Sequence, residues 1–242
     1  MAETTKPRLR HELKYPLTLL EYEVLRKKLA AVLQPDPHAG PDGSYHIRSL
    51  YFDDFKNSAF FEKQAGVARR KKYRIRIYNC NDNCVKLERK TKLDQYIRKE
   101  TTCIIREDAE NMIVGNVSFL SGSKNPLLRD FYLECRSSLL RSVVMVDYLR
   151  EAYVYPVGNV RITLDTQLHT GLGCVDFFCK ESCTAGVVAE DGITLEVKFD
   201  EVLPLHIRGL FPDTVRPRCS LGKFAACKES AFSAPSGFVK RF

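Results

Sequence analysis

The sequence predicts a mainly β fold (α+β): an antiparallel sheet or barrel with a few amphipathic helices packed on it. Three observations lead there. Residues 71–92 read as a hairpin whose two arms alternate with period two. The other strand-like runs follow one another mostly at hairpin spacing. Amphipathic helical stretches at 18–34, 55–66 and 126–139 each need an apolar surface to cover.

The elements follow in order. A first strand spans 10–16, with Arg10, Glu12 and Lys14 on one face and His11, Leu13 and Tyr15 on the other. Thr18 and Glu21 form a capping box behind Leu17 as a staple, and the helix runs to about Gln34 with Leu20, Val24 and Ala31 on its apolar side. A Pro- and Gly-rich loop over 35–43 leads to a strand over 45–52, ending in Asp53-Asp54. A short helix with Phe55, Ala59 and Phe60 runs to about Gly66. In the hairpin, Tyr73, Ile75 and Ile77 oppose Arg74 and Arg76, while Val85, Leu87 and Arg89 oppose Lys86, Glu88, Lys90 and Lys92. The polar stretch from Cys80 to Cys84 is the expected turn.

After a turn at Leu93-Asp94, a strand over 95–105 pairs back. Helices follow at 107–114 and 126–139, the second with Leu127, Leu128, Phe131 and Leu139 on its apolar side. Three strands are expected over 142–148, 151–155 and 159–166. Residues 171–187 are irregular and Cys-rich, 194–200 (TLEVKFD) is a strand, and 203–210 and 223–229 are helical turns. No linker, low-complexity block or long-period repeat interrupts the chain, so a single domain over 1–242 is expected.

The formal charge of +8 calls for an anionic partner: nucleic acid, anionic lipid, or a nucleotide or phosphate ligand. The N-terminus has no signal-peptide apolar stretch, and no run approaches the ~18 apolar residues of a membrane span. A cytoplasmic protein without a membrane partner is the expectation. The nine cysteines are odd in number and lack C-x2-C zinc spacings, so reduced thiols are expected. Cys80 and Cys84 could face each other across their turn, and Cys174, Cys179 and Cys183 cluster loosely. The histidines show no metal-like spacing, and the basic end FVKRF reads as a solvated tail.

The charged strand faces decide the functional reading. Glu-x-Lys recurs at Glu12/Lys14, Glu88/Lys90 and Glu196/Lys198, each time in a strand and on one face. Arg74 and Arg76 share a face, as do Arg161, Thr163 and Asp165, which oppose Val160, Ile162 and Leu164. One reading is a solvated face laced with cross-strand ion pairs. The other inverts the barrel, with apolar faces outward beneath the helices and charged faces lining a wet channel. Burying surplus Lys and Arg without partners is prohibitive, so such a channel must hold an anion. A carboxylate among them would serve a cation, since Mg2+ favours one or two carboxylates plus substrate phosphates.

HELKY, SLYFDD, KYRIRIY, LERKTK, DYLREAY, VRITLDT and LEVKFD occur in that order between about Arg10 and Lys228. Together they resemble the VTC (vacuolar transporter chaperone) polyphosphate polymerase domain, of the CYTH-like triphosphate tunnel metalloenzymes. The resemblance implies an eight-stranded antiparallel β-barrel around a charged central tunnel, with helices outside. It implies transfer of the ATP gamma-phosphate to a growing polyphosphate chain, with Mn2+ or Mg2+. Relatives hydrolyse triphosphates or cyclise ATP. Lys14, Arg74, Arg76, Lys90 and Lys198 are the implied catalytic cations. Arg150, Arg161, Lys223 and a basic position at Arg98 or Lys99 are the implied phosphate ligands, and Glu196 the metal ligand. Lys223 and Phe224 match a Ser-Lys-aromatic element, but Gly222 stands at the serine position, and Ser220 at a basic position near Arg218. Neither the SPX domain nor the membrane helices of eukaryotic polymerases occur, so a stand-alone catalytic domain is expected.

Phosphoryl transfer needs positioning and charge neutralisation more than a protein nucleophile. The acceptor phosphate is already ionised. A triphosphatase would instead need an ordered water, held by Glu12 or Glu88; the preferred role for both is ion pairing that orients lysines. A nucleic-acid-binding module is the alternative from another class, with basic, aromatic strands as a stacking surface. Against it, Tyr73 opposes Arg74 and Arg76.

Overall fold

Thr18 marks the first change from strand to helix. Its Oγ1 accepts from the Glu21 backbone N–H at 3.2 Å, and its own N–H donates to the Glu21 carboxylate at 2.8 Å, the expected capping box. The structure, a computed structural model, describes residues 10–94, 96–171, 176–182, 184–187, 192–211 and 222–233. Cys174, Cys183, Arg218, Cys219, Ser220 and the FVKRF tail lie outside the described residues.

The elements are β1 (Arg10–Leu17), α1 (Leu19–Val32), β2 (Gln34–Pro35), β3 (Ser44–Asp53), α2 (Ser58–Gln64), β4 (Arg69–Tyr78), β5 (Asn81–Leu93) and β6 (Tyr96–Ile104). Then come α3 (Arg106–Ile113), α4 (Pro126–Ser138), β7 (Arg141–Tyr155), β8 (Val160–Gly171), β9 (Ala185–Gly186), β10 (Ile193–Asp200), α5 (Leu205–Arg208) and α6 (Lys223–Ser233). Several expectations change. β2 lies at the start of the expected loop, and β9 in the segment expected to be irregular. The runs at 142–148 and 151–155 are one strand, because Leu149 and Arg150 break the apolar alternation but supply no turn residue. The hairpin turn is Asn79-Cys80, with φ of 52° and 50°, rather than the stretch from Cys80 to Cys84. Two successive positive φ values are what a two-residue hairpin requires, and Asn tolerates them. Leu139 ends α4 with φ 52° and is exposed, not inward.

The chain divides into two units. One holds residues 1–45, 149–167 and 188–220, the other 46–148, 168–187 and 221–242. The first has strand order β1-β10-β8-β7, with β2 on β7. Antiparallel register sets Lys14 opposite Glu196, Glu12 opposite Lys198, Glu196 opposite Thr163, and Lys198 opposite Arg161. Directly opposed residues share a face, so these side chains all emerge on one side. Val160, Ile162, Leu164, Leu195 and Val197 emerge on the other and are buried with Leu25, Leu29 and Leu33 from α1 and its end. The buried ridge of α1 is thus Leu25-Leu29, while Leu20 and Val24, expected inward, are exposed, as is Ala31. The two ridges lie side by side at i, i+4 spacing. Tyr22 and Arg26 settle the choice, because both bond the Glu151 carboxylate of β7.

The second unit has strand order β7-β3-β4-β5-β6, with β9 on β8. Phe52, Tyr73, Ile75, Ile77, Val85 and Leu87 form its apolar face, beneath Ala109 and Met112 of α3 and Leu127 and Phe131 of α4. Phe131 is fully buried, edge-on to Phe52 at 5.1 Å and to Tyr73 at 5.5 Å between ring centroids. Charges on this face are paired: buried Arg48 pairs with Asp147 at 3.0 Å and donates to the carbonyls of Phe177 and Cys179, and Arg89 pairs with Glu100 and Asp130. Helix α6 does not lie on the apolar side. Its Phe224 ring lies 5.0 Å from that of Tyr51, which shares the opposite face with Arg74.

The fold is therefore a mainly β antiparallel sheet with helices, and within each unit the strand order is an open path among the described residues. Among those residues no helix is long and apolar enough to cross a membrane. Phe131→Ala should cost about 3–5 kcal/mol of stability by opening a cavity under α4. Urea unfolding followed by circular dichroism measures it; a loss under about 1 kcal/mol would show that α4 does not carry this core.

Candidate functional site

Each unit presents one charged sheet face. In the first, β10 supplies Glu196, only 6% exposed, between Lys14 of β1 at 3.9 Å, Arg150 of β7 at 3.8 Å, and Lys198, which is in direct contact. Burial would push the Glu196 carboxyl up, but Lys14, Lys198 and Arg150 outweigh it and hold the group well below the usual carboxylate range. Lys14 also pairs with Glu12 at 2.8 Å. Burial would lower its ammonium, but the carboxylates of Glu196 and Glu12 raise it instead. Lys198 moves down, because burial outweighs what Glu196 gives back. Arg150 grips buried Asp165 with two bonds, of 2.6 and 2.7 Å. Arg161 is held by Asp36 at 2.7 Å and donates to the Tyr45 hydroxyl at 2.9 Å.

In the second unit the face is built by β3, β4, β5 and β6. Arg74 donates to Glu88 at 2.6 Å and to the Tyr51 hydroxyl at 2.9 Å. Lys99 pairs with Glu88 at 2.5 Å. Glu88 is 2% exposed, and burial alone would raise its pKa; Arg74, Arg76 and Lys99 pull it down to about 2. Arg76 is buried and donates to Ser49 at 3.0 Å. Lys90 stands opposite both Lys72 and Lys99 in register. From α6, the Lys223 ammonium lies 4.8 Å from the centre of the Tyr148 ring.

The structure thus brings Lys14, Arg150, Arg161, Glu196 and Lys198 onto the first face, and Arg74, Arg76, Lys90 and Lys99 onto the second, with Lys223 beside Tyr148. Of the two candidates after LERKTK, only Lys99 shares that face. Arg98 opposes Thr91, so it points the other way, is 77% exposed at the side chain and pairs with Glu100. Glu12 and Glu88 do hold cations, as expected. Cys80 and Cys84 do not meet: the Cys80 sulfur is 3.4 Å from His46 Nδ1, and that of Cys84 3.9 Å from Cys103, all as free thiols.

Sequence reasoning missed Lys72, Tyr51 and Tyr148, and had Phe224 only through the Ser-Lys-aromatic resemblance. Lys72 shares the alternation of Arg74 and Arg76 and lies over the Phe224 ring, 4.5 Å from its centre. Burial, then Lys63, Arg70 and Lys90, lower its pKa to about 8, although Tyr51 opposes the shift. For Tyr51, burial would raise the phenol, but Arg74, Arg76 and Lys72 bring it down to about 8. Tyr51, Tyr148 and Phe224 therefore stand with the basic residues, which removes the sequence argument that aromatics and cations lie on opposite faces. The period-two pattern could have found Lys72. Tyr148 and Phe224 needed the fold.

A metal ligand set can be tested on this chain. Among the described residues no group of three His, Cys, Asp or Glu side chains is placed to hold an ion. One buried carboxylate, Glu196, fits a hard cation that takes its remaining oxygens from phosphates and water, rather than a thiol- or imidazole-bound ion.

The profile of the VTC domain family matches residues 9–232. No curated protein matches the chain closely enough to count as a relative. Among solved structures, a candidate adenylyl cyclase from Hippeastrum, HpAC1, described with a dominant triphosphatase activity, is similar at 14% identity and TM-score 0.50, over 90% of this chain and 95% of that one. A candidate adenylate cyclase from Bacillus halodurans is similar at 15% identity and TM-score 0.48, over 84% of each chain. The PH1012 protein of Pyrococcus horikoshii OT3 follows at 12% and 0.43, over 83% and 84%. The Hippeastrum likeness speaks to the fold.

Glu88 generates a pH prediction. Its folded pKa lies below its ordinary value of 4.5, so its stabilising effect is present above pH 4.5 and is lost as pH falls towards about 2. The urea midpoint of the unaltered protein should fall across that window, and Glu88→Gln should show a smaller fall. Parallel curves for the two proteins would mean that Glu88 is not held by its cations.

Proposed function

The chain belongs to the VTC domain family, and from that premise we propose that it is a polyphosphate polymerase, moving the gamma-phosphate of ATP onto a growing polyphosphate chain. The closed eight-stranded barrel with a charged tunnel, and residues 1–242 acting as one catalytic domain, are part of this proposal. The observation that carries it is Glu196: a buried carboxylate contacted by three cationic side chains, on the sheet face opposite the one that α1 covers.

In this reading Lys14, Arg74, Arg76, Lys90 and Lys198 neutralise the non-bridging oxygens of the transferring phosphate. Lys99, Arg150, Arg161 and Lys223 hold the rest of the phosphate chain. Arg98, exposed and on the opposite face, has no part. Glu196 would hold a divalent cation, Mn2+ or Mg2+. Such an ion would supply positive charge to neutralise the phosphate oxygens. Glu12 and Glu88 orient the cations beside them. No general base is required, because the acceptor is an ionised phosphate.

A triphosphatase on the same fold is the second reading. It would need a carboxylate free to orient water, whereas Glu12 holds Lys14, and Glu88 holds Arg74 and Lys99, which favours the transferase. A nucleic-acid module gains the aromatics of the second face, yet the arginines there are committed to Glu88, Ser49 and Tyr51. The free thiols among the described cysteines suit a reducing, cytoplasmic setting.

The test is incubation with ATP and Mn2+ or Mg2+. ADP together with a polyphosphate ladder on a gel is expected. Orthophosphate as the sole product would move the assignment to triphosphatase. Glu196→Gln keeps size and removes charge, so turnover should fall at least about a hundredfold while metal-free triphosphate binding is kept or tightened. Calorimetry and product assays read the two effects; full turnover in the variant would remove Glu196 from the metal role.

A further inference from the structure

The charged face of the first unit contains a polar group that the phosphate-binding reading has not used. Thr163 of β8 is 3% exposed, and its Oγ1 has no hydrogen-bond partner. Three buried side-chain atoms lack a bonded partner among the described residues: Thr163 Oγ1, Arg161 Nε and Glu88 Oε1. The last has the Lys99 ammonium 2.5 Å away as an ion partner. The other two lie on one strand, two residues apart and so on the same face. Thr163 stands directly opposite Glu196 in register, and Arg161 directly opposite Lys198.

A buried hydroxyl without a partner forfeits the hydrogen bonds it had to water. Native proteins keep few such groups, and each calls for a reason. A threonine in a strand can satisfy itself on a nearby carbonyl or carboxylate. Here Asp165 on the same face is occupied by Arg150, and Glu196 by its three cations. What the hydroxyl and the Arg161 Nε–H share is a donor hydrogen with no acceptor among the described residues. Both would be satisfied by an oxygen-rich anion.

We infer that Thr163 is a ligand-binding residue whose hydroxyl donates to a non-bridging phosphate oxygen beside Glu196, with Arg161 Nε–H donating to the same phosphate chain. The inference rests on the triphosphate-binding reading and adds to it a residue for discrimination. A hydroxyl placed next to a carboxylate donates to a phosphate oxygen and leaves a ligand without oxygens unrewarded. An uncharged donor also adds grip without adding to the repulsion among the cations.

The experiment is calorimetric titration of inorganic triphosphate, in chelator and without metal, into the unaltered protein and Thr163→Val, Thr163→Ala and Thr163→Ser. Valine keeps the shape and removes the hydroxyl. Thr163→Val and Thr163→Ala should bind about tenfold more weakly, in the range of one hydrogen bond to a charged group. Thr163→Ser should stay within about twofold of the unaltered protein. The empty Thr163→Val protein should melt no lower than the unaltered one, because the hydroxyl it loses bonds nothing there. A merely structural threonine would give the reverse, a lower melting point with unchanged binding. Equal affinity in the unaltered, Val and Ala proteins would overturn the inference and leave the triphosphate reading standing. Failure of the unaltered protein to bind triphosphate would overturn both.

Discussion

A cation taken out of water must find a counter-charge within a few ångströms, and this constraint shapes both sheet faces. Alternation along each strand sends apolar side chains to the helices and charged ones to the other side. The helices secure the first half of that arrangement through Leu25 and Leu29 in one unit and Phe131 in the other. The second half depends on carboxylates. Glu196 and Glu88 are buried acids facing Lys and Arg on the two faces that carry the proposed function, and both are held ionised by those cations against the pull of burial.

Ion pairing of this kind holds direction more than it adds stability. A buried pair recovers little beyond its own desolvation, whereas losing one partner is expensive. The arginines make the point. Arg74 is fixed by Glu88 and Tyr51, Arg76 by Ser49, and Arg150 by both oxygens of Asp165. Their guanidinium planes are thus set before any ligand arrives. Preorganisation of this sort lowers the cost of binding and aims donors at the charge they must neutralise.

The period-two pattern made much of this readable in advance. It located the strands, sorted Arg74 and Arg76 from Tyr73, and put Glu12, Lys14, Glu196 and Lys198 on one face. It failed where the pattern was silent or doubled. Helix α1 carries two apolar ridges one residue apart, and only the bonds from Tyr22 and Arg26 to Glu151 decide between them. Arg98 and Lys99 are adjacent cations whose faces depend on register with β5. Tyr148 and Phe224 join the site through strand pairing and the docking of α6, which sequence spacing does not encode. Thr163 was visibly on the charged face, yet its missing hydrogen bond is a property of three dimensions alone.

The charges of the two faces differ in a way that bears on the chemistry. On the first, Lys14, Arg150, Arg161 and Lys198 meet four carboxylates, Glu12, Asp36, Asp165 and Glu196. On the second, Lys72, Arg74, Arg76, Lys86, Lys90 and Lys99 share a face with Glu88, while Asp53 is taken up by Lys228. The cross-strand lysines 72, 90 and 99 repel one another, and burial beside such neighbours lowers the Lys72 pKa to about 8. Among the described residues the second face therefore carries a surplus of positive charge, whereas the first is close to balanced. In the proposed function, that surplus would attract a polyanion. At the first face a phosphate would compete with carboxylates, and an additional positive ion or an uncharged donor would offset that competition. The face that carries the buried carboxylate is thus also the one where a divalent cation and a hydroxyl have electrostatic reason to act.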